Sequence, residues 1–255
     1  MKVSVITPTG DRENFLKGAY HVLKNQHYTN WEWLIYDTSL KPASFSDPRI
    51  TYIYDEGIVS IGEKRNRLIE KASGDCIVHF DDDDYYAPTY LACVVQQLKH
   101  ASFFTLHSWF SYDRKTRQFF YWDTEETGEI RYQISALTGH TLKEIELGPY
   151  MQCHKDQLNY KGKTGYGFSF SYTREVAKAC VFEDIDLAED RHFYESVEQK
   201  GFVVKTLADH KGEVIHVLHD SNTSIEYPQY RIPRFLVQDL FPTFFNYLAF
   251  VHEEN

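Results

Sequence analysis

Short apolar runs, each closed by polar or turn-forming residues, punctuate the first hundred positions. Val3-Ser4-Val5-Ile6 stops at Thr7-Pro8-Thr9-Gly10, which reads as a buried strand ending in a turn. Trp31-Glu32-Trp33-Leu34-Ile35-Tyr36 closes on Asp37-Thr38-Ser39, and Ile50 to Tyr54 is a short strand. Cys76-Ile77-Val78-His79-Phe80 runs into Asp81-Asp82-Asp83-Asp84, and Pro88 bars the strand from continuing. Between these runs the spacing turns helical. Phe15, Leu16, Ala19, Tyr20, Val22 and Leu23 share one face from Glu13 to about Asn25, with Asp11 as the expected cap. Ile61 to Ala72 and Thr89 to Leu98 are further helices. The order β-α-β-β-α-β-α predicts an α/β fold whose mostly parallel central sheet has flanking helices. In such sheets ligands bind outside the carboxyl ends of the strands. Thr7-Pro8-Thr9, Asp37 and the aspartate run all lie there.

Beyond Lys99 the pattern changes. Phe103-Phe104-Thr105-Leu106 reads as a strand, and Trp109 to Tyr112 with Gln118 to Trp122 reads as a hairpin. Residues 123–145 are polar and show no clear period. Gly162, Gly165 and Gly167 break a loop that ends in Phe168-Ser169-Phe170-Ser171-Tyr172. Thr173 is the expected cap of a helix from Arg174 to Cys180, and Asp186 opens another that runs to about Lys200. Phe202 to Leu207 and Val214 to Leu218 are strands. Phe235 to Val251 is an aromatic amphipathic helix with a kink at Pro242. Tyr227-Pro228 and Ile232-Pro233 set that tail apart. The division is a unit over 1–225, with halves 1–99 and 100–225, and a helical extension over 226–255. The extension is a candidate for pairing as a homodimer or for resting on a membrane surface.

Composition narrows the function classes. The 255 residues suffice for a large core, and 42% hydrophobic with 25% charged is ordinary for a soluble domain. A net charge of −10 makes nucleic acid an unlikely partner. Cys76, Cys93, Cys153 and Cys180 are widely spaced, so neither a disulfide framework nor a zinc site is implied. A reducing, cytoplasmic location follows as the expectation. No signal peptide and no bilayer-spanning run is read from the sequence.

The four aspartates carry the first chemistry. Adjacent carboxylates repel one another, so the run weakens the fold unless a cation sits among them. A hard divalent ion with oxygen ligands suits it. An acidic run alone reads equally well as a solvated loop. Its place at a strand tip beside two other polar strand ends favours the metal.

Val3 to Thr9, Trp31 to Asp37, Gly62-Glu63-Lys64-Arg65-Asn66 and Asp81 to Asp84 together resemble the signature of family-2 glycosyltransferases of the GT-A fold. The resemblance is strong over 1–90, weaker from about 165 to 224 and absent in 100–160. It implies a GT-A-like nucleotide-binding sandwich with a C-terminal helical tail. It also implies inverting transfer, dependent on Mn2+ or Mg2+, of a sugar from a nucleoside-diphosphate sugar, with UDP-sugar favoured, to an unknown hydroxyl acceptor.

The same resemblance assigns residues. Asp81-Asp82-Asp83 is similar to the DxD motif, with Asp83 on the metal, Asp81 or Asp82 nearer the ribose, and Asp84 structural. Asp81 is also a candidate ligand. Thr7, Pro8, Thr9 and Arg12 would line the nucleotide pocket, and Asp37 would meet the base or ribose. A turn cap is the lesser alternative for Asp37, and Thr38 stands where the family often has a second aspartate. Arg65 would reach phosphate or hold the acidic cluster, whereas Lys64 fits a solvated helix face. Glu189-Asp190 resembles the catalytic ED motif, with Asp190 as base, although both suit a helix N-terminus. His219, or else His216, would be a third metal ligand. Residues Gly165 to Phe170 would form an acceptor-side wall. Trp109, Trp122, Tyr150 and His154 either shape that wall or belong to an ordinary core. Two other readings stand beside this one. A nucleotidyltransferase would want a Gly-rich basic loop, which Thr7-Pro8-Thr9-Gly10-Asp11-Arg12 is not. A non-catalytic nucleotide-sugar or cation-binding module would need no Asp190.

Overall fold

Alternation along the central strands decides how the layers stack. A computed structural model describes residues 1–124, 166–220, 222 and 230–251. Strands β1 (Val3–Thr9), β2 (Trp31–Asp37), β3 (Ile50–Tyr54) and β4 (Cys76–His79) run parallel in the order β3-β2-β1-β4. Val3, Val5, Trp33, Ile35, Cys76 and Val78 face one core. Ile6, Leu34, Tyr36 and Ile77 face the other. The period of two thus gives both faces an apolar surface. Helices α1 (Glu13–Lys24) and α3 (Tyr90–Gln97) cover the first face. Helices α2 (Ile61–Lys71), α4 (Arg174–Ala179) and α5 (Glu189–Gln199) cover the second.

The rest of the sheet is mixed. It adds β5 (Tyr85–Tyr86), β6 (Phe103–Asp113), β7 (Gln118–Asp123), β8 (Ser171–Thr173), β9 (Val204–Ala208), β10 (Val214–Leu218) and β11 (Tyr230–Ile232). The order is β11-β7-β6-β8-β4-β1-β2-β3, with β9 and β10 beside β6 and β5 beside β10. Among the described residues, β4·β8, β6·β8, β6·β7, β7·β11 and β5·β10 are antiparallel. The parallel expectation therefore holds for β1 to β4, and the second half mixes antiparallel pairs with the parallel pairs β6·β9 and β6·β10. The two runs read as separate strands, Phe103 to Leu106 and Trp109 to Tyr112, form one strand. Its pairing with β9 shifts register between Leu106 and Ser108. Such a shift inserts a residue and breaks the apparent period.

Helix starts differ from the expectation. Asp11 does not cap α1. It has φ 54° and accepts from Leu40 N at 2.7 Å, latching the β1 turn to the β2 turn. The helix expected at Asp186 begins at Glu189, because Ala188 is left-handed with φ 67°. Thr173 precedes α4 but makes no side-chain cap bond.

The tail is not set apart. Pro242 separates α6 (Arg234–Leu240) from α7 (Phe244–Val251). Leu236, Val237, Phe241, Phe244, Tyr247, Leu248 and Val251 share a core with β1 and α1. Most of the apolar face that suggested a partner is thus covered within the chain. Cys76, Cys93 and Cys180 are free thiols. Tyr150, Cys153 and His154 lie outside the described residues. No helix among the described residues is long and apolar enough to cross a membrane.

One buried carboxylate fixes the approach to β10. Asp209 accepts from the backbone N–H groups of Gly212, Glu213 and Val214 at 2.9 Å. Asp209→Asn turns an amide donor toward those donors, and the expected loss is about 1–3 kcal/mol in denaturant unfolding. A loss within experimental error would show that the loop holds without this hub.

Candidate active site

Like charges dominate the tip of β4, and each carboxylate has its own set of surroundings. Asp82 accepts from Thr9 Oγ1 at 2.5 Å and from Arg12 Nη1 at 3.1 Å. Asp83 Oδ2 lies 2.7 Å from Arg12 Nη1 and 3.0 Å from His219 Nε2. Asp84 accepts from Val217 N at 2.9 Å and pairs with His216 Nδ1 at 2.8 Å. Asp81 is different. Its buried Oδ1 has no hydrogen-bond partner, and Arg65 Nη2 stands 3.5 Å away. The buried Arg65 Nε is also without a hydrogen-bond partner.

These environments make the four groups unequal. Burial pushes the Asp81 carboxyl up to about 7, with Arg65 opposing. Burial raises Asp82 and Asp84 as well. Burial works the same way on Asp83, but the His219 hydrogen bond and the Arg12 charge hold it below the usual carboxylate range. Asp81, Asp83 and Asp84 offer oxygens that all lie within 4.8 Å of one another. A hard oxygen set with one orphaned buried oxygen fits a divalent cation.

The carboxylates open on a crevice of about 750 Å³ between the end of β1, α2 and the start of α5. Glu189 and Asp190 form the first turn of α5. Asp190 Oδ2 accepts from Gly167 N at 2.9 Å and faces the crevice. Glu189 is buried and ion-paired with Arg65. Arg65 therefore joins the start of α5 to the aspartate cluster. Burial raises the Glu189 carboxyl, with Arg65 opposing. A Cβ on Gly167 would lie 3.0 Å from Asp190 Cβ and 3.2 Å from Arg65 Nη2. His79 supports this turn from below. Its ring nitrogens lie 2.8 Å from Gly167 O and 3.1 Å from Tyr172 Oη, and burial keeps its pKa well below the ordinary value.

The stretch before α5 is docked on the start of α2. Ser60 Oγ donates to Asp184 at 2.6 Å, and Ile61 N donates to Asp186 at 2.9 Å. A Cβ on Gly62 would fall 1.8 Å from Glu183 O, so only glycine fits.

Pro8, Thr9, Arg12, Arg65, Asp81, Asp82, Asp83, Glu189, Asp190 and His216 all line the crevice. Three expected residues do not. Thr7 points into the sheet, donating to Phe80 O at 2.7 Å and accepting from Trp33 Nε1 at 2.8 Å. Asp37 is 1% exposed, accepting from Ser39 N at 2.8 Å and Tyr52 Oη at 2.6 Å. This is the turn-cap arrangement. His219 backs Asp83 and stacks on Phe15 at 4.7 Å, so of the two histidines His216 is the one at the crevice. Lys64 is not on a solvated face. It is 8% exposed, and its Nζ donates to Thr9 O at 2.8 Å and Thr38 Oγ1 at 2.7 Å. Trp109 is buried against Tyr166 and Phe168, which line the crevice. The sequence sets Gly167 on an acceptor-side wall but does not show its hydrogen bond to Asp190, and nothing in the sequence marks His79 as the support beneath that turn.

Residues 4–179 match the family model described as glycosyl transferase family 2. The chain is 33% identical over 111 residues to WcaA of Escherichia coli (strain K12), named for a colanic acid biosynthesis glycosyl transferase, covering 39% of this chain. It is 32% identical over 90 residues to the Escherichia coli UDP-Glc:alpha-D-GlcNAc-diphosphoundecaprenol beta-1,3-glucosyltransferase WfgD, covering 33% of this chain. The matches span only 40% and 36% of those relatives' lengths. Among solved structures, Staphylococcus aureus TarS 1–349 in complex with UDP-GlcNAc has a TM-score of 0.56 at 16% identity, covering 89% of this chain and 62% of that one. The mannosyltransferase PcManGT from Pyrobaculum calidifontis, with GDP-Man and Mn2+, has a TM-score of 0.52 at 16% identity, covering 85% and 56%. At such identities the likeness concerns the fold.

Two outcomes test this geometry. Arg65→Leu leaves buried carboxylates without their counter-charge and is expected to cost about 3–5 kcal/mol. Adding Glu189→Gln should recover part of that loss in a double-mutant cycle, and no recovery would dissociate the pair. The second concerns pH. Asp81 in the fold holds its proton up to about 7, whereas the unfolded chain releases it in the ordinary carboxylate range. Its contribution is therefore full at low pH and lost as pH rises toward about 7. Metal-free melting temperature should fall across that window, and Asp81→Asn should flatten the fall.

Proposed function

The chain belongs to glycosyl transferase family 2, and from that premise we propose a metal-dependent, inverting glycosyltransferase. It moves a sugar from a nucleoside-diphosphate sugar to a hydroxyl acceptor. The observation that carries this reading is the shared crevice, with Asp190 at one wall, the aspartate cluster at another and Arg65 between them. UDP is the favoured nucleotide, because WfgD is named for UDP-Glc and TarS was solved with UDP-GlcNAc. The GDP-Man of PcManGT keeps guanosine in the test.

Asp83 and Asp81 would hold Mn2+ or Mg2+, with His216 on the same crevice. A divalent ion bound there offsets negative charge on the departing diphosphate. The chain's own groups do the rest. Pro8, Thr9 and Arg12 border the nucleotide side, and Arg12 brings a guanidinium to the cluster edge. Asp190 takes the proton of the acceptor hydroxyl while its oxygen bonds to the anomeric carbon. The bond from that carbon to the diphosphate oxygen breaks in the same displacement. Attack opposite the leaving group inverts the centre without a covalent intermediate. The Gly167 N–H holds one Asp190 oxygen in place for this task.

A thermal-shift screen with UDP-, GDP- and dTDP-sugars plus Mn2+ should give its largest shift with UDP-sugar. Turnover of that donor should stop with chelator. Asp190→Asn should lower kcat about 10²–10⁴-fold while leaving UDP affinity near wild type. Near-wild-type turnover in Asp190→Asn would overturn the base assignment, and chelator-insensitive turnover would overturn the metal.

A further inference from the structure

Asp83 is gripped from more sides than its carboxylate chemistry requires. Arg12 and His219 meet its side chain at 2.7 and 3.0 Å. Its backbone carbonyl accepts a hydrogen bond from Tyr247 Oη at 2.9 Å. Tyr247 is fully buried on α7, at the far end of the chain and outside the residues matched to the family. A second tie runs beside it, since Thr243 Oγ1 lies 2.6 Å from Tyr85 Oη, next to Asp84. Arg114 Nη2 donates to Val251 O at 2.8 Å and fixes the other end of α7.

The packing is specific to this approach. A Cβ on Gly18 of α1 would sit 2.8 Å from Tyr247 Cε2 and 3.0 Å from Val251 Cγ1. The bare glycine thus admits the tyrosine ring. The same α1 carries Phe15, whose ring stacks on His219. The last helix and the first helix therefore converge on one aspartate, one through its backbone and one through its side chain. Repulsion among four carboxylates tends to spread this turn, and a tie on the Asp83 carbonyl opposes that drift.

We propose that α7 is the backing of the metal loop and that Tyr247 is a positioning residue, which raises divalent-cation affinity by fixing the Asp83 backbone. The proposal rests on the reading of Asp83 as a metal ligand given above. Tyr247→Phe keeps the ring and removes only the hydroxyl. Mn2+ alone, titrated calorimetrically into the full chain, should bind about 2- to 12-fold more weakly to it, the worth of one neutral hydrogen bond. Leu248→Ala loosens the same helix without touching Asp83. It should lower the melting temperature and leave the Mn2+ affinity at the wild-type value. Asp83→Asn should abolish Mn2+ binding. Wild-type binding by Asp83→Asn would sink the ligand reading itself. Loss in Asp83→Asn with wild-type affinity in Tyr247→Phe would overturn only the positioning role. Equal weakening in Tyr247→Phe and Leu248→Ala would also overturn it, because the helix would then act through general stability.

Discussion

Four carboxylates crowded at the tip of one strand repel one another, and much of the molecule answers to that repulsion. At contact distance a pair of like charges costs about 4 kcal/mol at an effective dielectric near 20. The relief comes from separate elements. Arg12 arrives just before α1, Arg65 from α2, and His216 with the Val217 N–H from β10. The pairing of β10 with β6 and β5 has a local meaning in this light. It brings a donor and an imidazole to Asp84, which no residue of the parallel half meets in this way.

The two halves of the sheet divide the work. The parallel strands bring β1 and β4 tips side by side, so Thr9 and Asp82 can bond directly. Lys64 then ties the β1 end to the β2 turn through Thr9 O and Thr38 Oγ1. The antiparallel addition of β8 to β4 brings the Gly167 turn alongside His79. From that turn a single backbone N–H reaches Asp190. Asp190 is thus positioned by the second half and the Asp82 edge by the first, with Arg65 spanning the join.

Much of this was legible in the sequence, for reasons that can be named. Strands β1, β2 and β4 are long enough to show apolar runs, and each ends in residues with no place in a core. Thr7 illustrates the limit. It belongs to a polar strand end, yet the pleat turns it inward, and its partner Trp33 Nε1 lies on another strand. Asp37 similarly serves its own turn through Ser39. Lys64 resembled a solvated lysine because its main partner is a backbone carbonyl, which sequence does not display. Strands β5, β8 and β11 are two or three residues long, too short for any period to appear. The tail was readable as an amphipathic helix, but its docking site was not. Gly18 carries no apolar side chain to announce that a ring packs there.

The glycine at position 62 decides how one wall of the crevice is held. With Glu183 O seated where its Cβ would be, and Asp184 and Asp186 bonded to Ser60 and Ile61, the start of α2 and the run into α5 form one block. Arg65 and Glu189 close that block from the inside. The same block keeps Glu189 beside the Arg65 guanidinium. The opposite rim is held by side chains instead, where Arg12 and His219 meet Asp83. The two walls thus differ in how they are joined: backbone contacts lock α2 to the run into α5, whereas ion pairs carry the aspartate rim.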